Sequence, residues 1–284
     1  MFVIIGCIVV LGGVLGGFAM EGGPFLVLMQ VAEFFIIGGA AVGSLLISTP
    51  VPTLKKMVER VLGALKGKNT TKQKYLDLLK LLYELFQFGQ KEGFIALESH
   101  IEGPEKSSII SKYPEIMQDH HLLVFITDTI RLLLIGGVDP HDLDSLMERD
   151  IETHHEEGTK PGMILQKVGD ALPGIGIVAA VLGIVITMQA INGPAEEIGE
   201  KVAAALVGTF LGILLSYGFV QPLATNIDLA NAEESKVFEV VKAALLCSAK
   251  GLNPLISVEF ARRTISSDYR PSFQEMEDLV KGKK

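Results

Sequence analysis

The chain has 284 residues, of which 49% are hydrophobic, with thirty glycines and a mean hydropathy of +0.41. That is more apolar material than a soluble domain of this length needs, and it indicates an integral membrane protein. A net charge of -8 excludes nonspecific nucleic-acid binding, and Cys7 and Cys247 lie too far apart in context for a disulfide framework, which places the bulk of the chain in a reducing compartment.

In chain order, four stretches reach the roughly 20 apolar residues that a span requires: Met1 to Met20, Leu28 to Val51, Ala171 to Gly193 and Val202 to Leu223. The first has no basic n-region and a longer apolar block than a secretory signal, so it is read as a retained anchor. Only the second contains a charge, Glu33. Placed near the outer end of its stretch, Glu33 is expected to reach water or headgroups, which makes it a weak relay.

Lys55, Lys56, Arg60, Lys66 and Lys68 follow the second stretch. The links around Glu21 to Pro24 and Asn192 to Glu200 are acidic, with Lys201 at their edge. By the positive-inside rule the links lie outside and both termini lie in the cytoplasm. The expected organisation is residues 1–51 as two spans, 52–168 as a cytoplasmic helical domain, 169–223 as two further spans and 224–284 as a cytoplasmic tail that completes the domain. The fold class is all-α and polytopic, because no strand alternation persists.

Within the cytoplasmic part, Tyr75, Leu78, Leu79, Leu82, Leu85 and Phe86 form the apolar side of a helix from Lys72 to Gln90. The run from Leu122 is too short for a span before Gly136 and Gly137, and Asp128 and Arg131 interrupt it, so a buried cytoplasmic helix is expected. A further helix starts with Asp139 as N-cap and Pro140 in the first position, with a stripe of Leu143, Leu146, Met147 and Ile151. His141, His154 and His155 lack the HExxH spacing and any cysteine, so a solvated face is expected and no metal site. With no GxSxG, Walker or GxGxxG context, hydrolytic and nucleotide-driven chemistry are not expected, nor is any cofactor.

The third stretch repeats small residues at Gly176, Ala180, Gly183, Thr187 and Ala190; the fourth does so at Ala204, Gly208, Gly212 and Ser216. These small-xxx-small faces permit close helix approach in lipid. Thr187 and Thr209 either bond their own preceding turn or line a hydrated route, with Tyr217 adding a hydroxyl near that face. Pro173 and Pro222, at the cytoplasmic ends of their spans, either bend a helix or mark its boundary. Asp170 is a candidate helix cap or ion-exit residue. A pathway through the membrane centre normally needs an acid at depth, so the essential carboxylate is expected from another chain.

The segments "VGDALPGIGIVAAVLG" from Val168, "ALVGTFLGILLSYGFVQP" from Ala205 and "ISVEFARRTISSDYRPSFQEMED" from Ile256, with "KYLDLLKLLYELF" and "DIETH", resemble the MotA family of flagellar motor stator subunits. The resemblance implies a partner, MotB, that supplies the ion-binding aspartate, with five chains of this kind around two MotB helices in the inner membrane. It also implies rotor contact with FliG. Glu98 matches the family's acidic rotor position; the basic position falls at Gln90, and adjacent Lys91 is the candidate substitute. The transported ion is expected to be the proton, with sodium possible. The competing expectations are an ExbB/TolQ-like energiser with three spans and no "YRPSF" tail, a secondary transporter with its own midplane charge, and a structural scaffold.

Overall fold

A computed structural model describes residues 2–67, 71–189 and 191–282. Two positions discussed above, Lys68 and Ala190, lie outside the described residues. The described chain is helical, with no strand, and four of its helical stretches are long and apolar enough to cross a membrane. It divides into two compact units: Met1–Lys68 with Gly158–Leu229, and Asn69–Glu157 with Ala230–Lys284.

The helices are α1 (Phe2–Met20), α2 (Phe25–Leu28), α3 (Val31–Ser48), α4 (Val51–Lys66), α5 (Lys72–Glu92), α6 (Glu98–Glu102), α7 (Pro114–Gln118), α8 (His120–Ile135), α9 (Pro140–Gln189), α10 (Ala195–Leu215), α11 (Gln221–Ala249), α12 (Pro254–Thr264) and α13 (Phe273–Lys281). A five-residue π turn, Ser216–Val220, joins α10 to α11.

In the first unit, α1 buries none of its residues against the rest of the chain, as a lipid-facing helix does. The second apolar stretch is broken. Met29 and Gln30 leave the helical region, and the Gln30 side-chain amide donates to Val27 O at 3.0 Å, satisfying a carbonyl that the break exposes. The membrane core is Ile37, Leu172, Ala179, Val207 and Leu211. Four of the five basic residues after the second stretch fall on α4, whose Val61 and Ala64 pack on Leu165, Ala224 and Ile227.

The second unit is built around α5. Thr71 caps it by accepting from Lys74 N at 3.2 Å, and all six apolar positions of the expected stripe are buried. Leu81 is buried as well, so the helix is enclosed on more than one side. Each such leucine contributes about 1.5–3 kcal/mol by leaving water. Polar positions find partners at the edge, Lys74 on Asp119 at 3.1 Å and Glu84 on Lys112 at 2.8 Å. α8 is the expected buried helix, with its Asp128–Arg131 pair at 2.7 Å. Asp139 accepts from His141 N at 2.8 Å where α9 begins. Of the predicted α9 stripe, Leu143, Met147 and Ile151 are buried, whereas Leu146 is half exposed; four successive apolar positions cover more of a helix than this core contacts.

The C-terminal tail has a structural purpose. Ser272 caps α13 in a reciprocal capping box with Glu275. Arg262 donates from Nη1 to Pro271 O at 2.8 Å and from Nε to Glu259 at 2.7 Å, while Arg263 also holds Glu259 at 2.7 Å. The Arg262 hydrogen bond, reinforced by Arg263, holds the Glu259 carboxyl below the usual carboxylate range. A lowered folded value means that this stabilisation is complete above the ordinary value of 4.5 and is lost as pH falls through the lowered one. Glu259→Gln is therefore expected to lower the melting temperature at neutral pH, with the gap to the unsubstituted protein closing in acid below 4.5. Thermal unfolding across that pH range checks it.

Candidate functional site: a glycine seam and its proline latch

The faces of α9 and α10 meet as closely as backbones allow. A β-carbon added at Gly212 would lie 2.6 Å from Leu172 O and 2.9 Å from Gly176 Cα; one at Gly176 would lie 2.7 Å from Gly208 O. At Gly183 the obstacle would be Ala205 Cβ, at 2.7 Å. Gly176, Gly183, Gly208 and Gly212 therefore form the seam, as the small-residue spacing predicts. Ala179 and Ala205 are buried, whereas Ala180 and Ala204 are half-buried, with Ala180 N still 3.2 Å from a β-carbon added at Gly208.

At the Pro173 end of this seam the prolines act within helices. α9 continues unbroken through Pro173, so Asp170 caps no helix. Proline has no N–H, and Pro173 leaves the carbonyl four residues back, Gly169 O, without its helical donor. The donor comes from the opposite helix: buried Ser216 Oγ donates to Gly169 O at 2.7 Å. Gln221 Nε2 then donates to Ser216 Oγ at 3.2 Å and to Asp170 Oδ1 at 2.9 Å, and Gln166 Nε2 reaches the same Asp170 oxygen at 2.9 Å. Ser216 begins the π turn, and Pro222 follows it by one residue. Two proline-bearing helices are thus latched through one serine, one glutamine and one aspartate, next to the kind of π turn that often marks functional positions.

The hydroxyls are placed less uniformly. Thr187 is buried, and its Oγ1 donates to Gly183 O at 2.9 Å, the local back-bond. Thr209 is half-buried on α10. Tyr217 is exposed, on the π turn and one residue past seam residue Ser216, on the same side as exposed Ile213.

Glu33 differs most from its expected setting. It is only 7% exposed and lies among α3, α9 and α10. Oε1 would be 3.6 Å from a β-carbon at Gly183, and Oε2 fills the space beside Gly208. The break before α3 starts a new helix at that level and turns its first-turn acid inward. Gln221, Ala179 and Ala205 are further residues of the site that spacing alone did not single out, and Ser216, which it did, gains the role of cross-helix donor. For Ser216 a signal was present: a hydroxyl on an antiparallel helix near a carbonyl orphaned by proline.

A second surface lies in the other unit. Gln90, Lys91 and Glu92 are exposed at the end of α5, and Gly93, at φ 89°, ends that helix and turns the chain. The turn Phe94–Leu97 leads to exposed Glu98 at the start of α6. Beneath it, Ser107 Oγ accepts from Ile109 N and Ile110 N at 3.2 and 3.0 Å and pairs with His100 Nδ1 at 2.8 Å. This fixes α6, so that Glu98 projects from an anchored turn beside exposed Ile95.

Of the α9 histidines, His141 and His155 are exposed, as expected, with His155 Nδ1 paired to Ser235 Oγ at 2.8 Å; His154 is half-buried, its ring 4.5 Å from Phe238 and 5.3 Å from His121. No group of three metal-ligating side chains occurs among the described residues.

Residues 4–93 match the motility protein A N-terminal family model, and residues 117–240 match that of the MotA/TolQ/ExbB proton channel family. The chain is 43% identical to motility protein A of Escherichia coli over 100% of its own length and 96% of the relative's. It is 42% identical to motility protein A of Salmonella typhimurium, covering 99% of this chain and 95% of that one. The fold is similar to a structure of C. jejuni MotAB, with a TM-score of 0.78 at 20% identity over 95% of this chain and 98% of that one. It is also similar to the flagellar MotAB stator complex from Bacillus subtilis, with a TM-score of 0.74 at 22% identity over 99% and 98%. With four membrane-length helices, an all-α fold and full-length relatives of this kind, the chain is a polytopic membrane protein of the MotA/TolQ/ExbB proton channel family, in its motility protein A branch.

Proposed function

We propose that this chain is the ion-conducting stator subunit of a bacterial flagellar motor, which works with MotB to couple transmembrane proton flow to torque on the rotor protein FliG. The observation that carries this reading is the latch at the inner end of the glycine seam. The closed seam between α9 and α10 ends at Pro173, whose orphaned carbonyl is held by a breakable cross-helix hydrogen bond. A partner aspartate that gains and loses a proton beside the seam changes the local charge. The Ser216–Gly169 bond is an element whose making and breaking changes how α9 is held at Pro173. Both α9 and α11 continue in sequence into the unit that bears Glu98.

In the full assembly five copies surround two MotB helices in the inner membrane, with both termini in the cytoplasm, as the basic α4 after the second span supports. The transported ion is H+, and no cofactor takes part. Glu98 is the acidic rotor contact, with Lys91 supplying the basic charge that Gln90 lacks. Exposed charges of this kind bind weakly and are screened by salt, which suits repeated engagement and release.

Expression of this chain with its own MotB in a motile bacterium whose stator genes are deleted tests the reading. Restored swimming is expected, with Glu98→Lys reducing it while membrane levels hold. Membrane-inserted complex that never restores rotation, even with its own FliG supplied, contradicts it.

A further inference from the structure

We propose that Glu33 is a proton-binding carboxylate of this chain, seated between α3, α9 and α10 at the level of Gly183 and Gly208; the transport role assigned to it rests on the channel reading above. Its side chain is more than nine-tenths buried, and Oε2 has no hydrogen-bond partner. Glu33 is the third residue of α3, where a glutamate can fold back to cap its own helix start. Here it points into the cleft that the two glycines leave open.

No other ionisable group faces it. α2 and the rest of α3 carry none, and neither does α9 from Pro173 to Gln189 nor α10 from Val202 to Leu215. An unpaired carboxylate in such a place is costly unless it takes up a proton or a cation.

The walls decide between the two. A dehydrated metal cation needs a shell of oxygen ligands. The residues around the carboxylate are Gly183, Gly208, Ala179 and Ala205, which bring no side-chain oxygen, and the Thr187 hydroxyl one turn away is engaged with Gly183 O. A proton needs no shell. A hydronium arriving from the outer side gives its proton to Glu33 and leaves as water. The carboxylic acid then passes the proton to the partner's carboxylate and returns to the ionised form. Glu33 thus serves as a loading position upstream of the shared site.

Two arms test this on the full chain co-expressed with its MotB partner, freed of any plug segment. The first is infrared pH-difference spectroscopy of the purified complex. A protonated-carboxyl band is expected that Glu33→Gln abolishes and that survives replacement of the partner's aspartate by asparagine. The second is proton influx in cells. Glu33→Gln is expected to lower it by about a hundredfold, with co-purification of the partner unchanged. Glu33→Asp should restore much of the flux with a displaced external-pH midpoint, which a purely structural residue would not produce.

Flux unaffected by Glu33→Gln, or an infrared difference spectrum identical in that variant, overturns the proposal. So does flux that requires external sodium. Absence of flux from the unsubstituted complex counts against the channel reading alone, and the infrared arm still decides whether Glu33 binds the proton. If Glu33→Gln fails to assemble, the displaced midpoint of Glu33→Asp supports the proposal, and an unchanged midpoint overturns it.

Discussion

Gly212→Ala is expected to destabilise the membrane unit by about 1–3 kcal/mol, while Gly174→Ala, which adds the same methyl group two residues before Gly176, costs nothing or stabilises slightly. The contrast follows from what each methyl meets. At Gly212 it would lie 2.6 Å from Leu172 O, 2.9 Å from Gly176 Cα and 3.2 Å from Gly176 N, whereas at Gly174 there is nothing within 4 Å. The neighbours at Gly212 are backbone atoms of a packed helix. They cannot rotate aside, so α9 and α10 must separate along the seam. Alanine also favours a helix over glycine by up to about 1 kcal/mol, so the two substitutions should differ in sign. Thermal unfolding of the purified protein in detergent reads the difference; equal melting temperatures for the two variants would mean that the seam is looser than described.

The second large effect is expected at Ser216. Ser216→Ala removes the donor that compensates for Pro173 and leaves Gly169 O buried without a partner, at a cost of about 1–3 kcal/mol. The same logic predicts non-additivity. Pro173→Ala restores an N–H at position 173, which can donate to Gly169 O within α9, so Ser216→Ala should cost little in that background. A double-mutant cycle on stability should yield a coupling of about 0.5–3 kcal/mol, and strictly additive effects would show that the serine and the proline act independently. Function should separate from stability here. Pro173→Ala with Ser216 intact keeps the protein folded but frees α9 from its dependence on the cross-helix bond, so proton flux should persist more fully than rotation.

Much of the architecture was legible in the sequence because membrane spans announce themselves by length and hydropathy. The Gly136–Gly137 stop kept α8 from being counted among them, and Asp139 and Pro140 marked the start of α9. The four spans and the capped C-terminal tail also separate this chain from the three-span energiser reading. What was hidden shares one cause: local rotation about a helix axis that composition does not encode. No glycine or proline marks the break at Met29–Gln30, so Glu33 read as a residue near a helix end when it begins a second helix inside the bundle. A one-residue step of 100° separates Ala179 from Ala180 and Ala205 from Ala204, and spacing alone did not show that Ala179 and Ala205 are the more buried member of each pair. Tyr217 sits one residue, about 100°, off the seam that Ser216 continues, and the value of Ser216 became visible only with Gly169 opposite it.

The central claim is that this chain provides the wall, the latch and a loading carboxylate of a proton path that is completed only by its partner. The most direct measurement is cytoplasmic acidification in cells expressing this chain alone, its plug-free MotB alone, or both, with and without external sodium. Acidification that requires both chains and ignores sodium is the predicted result. Flux from this chain alone would contradict it.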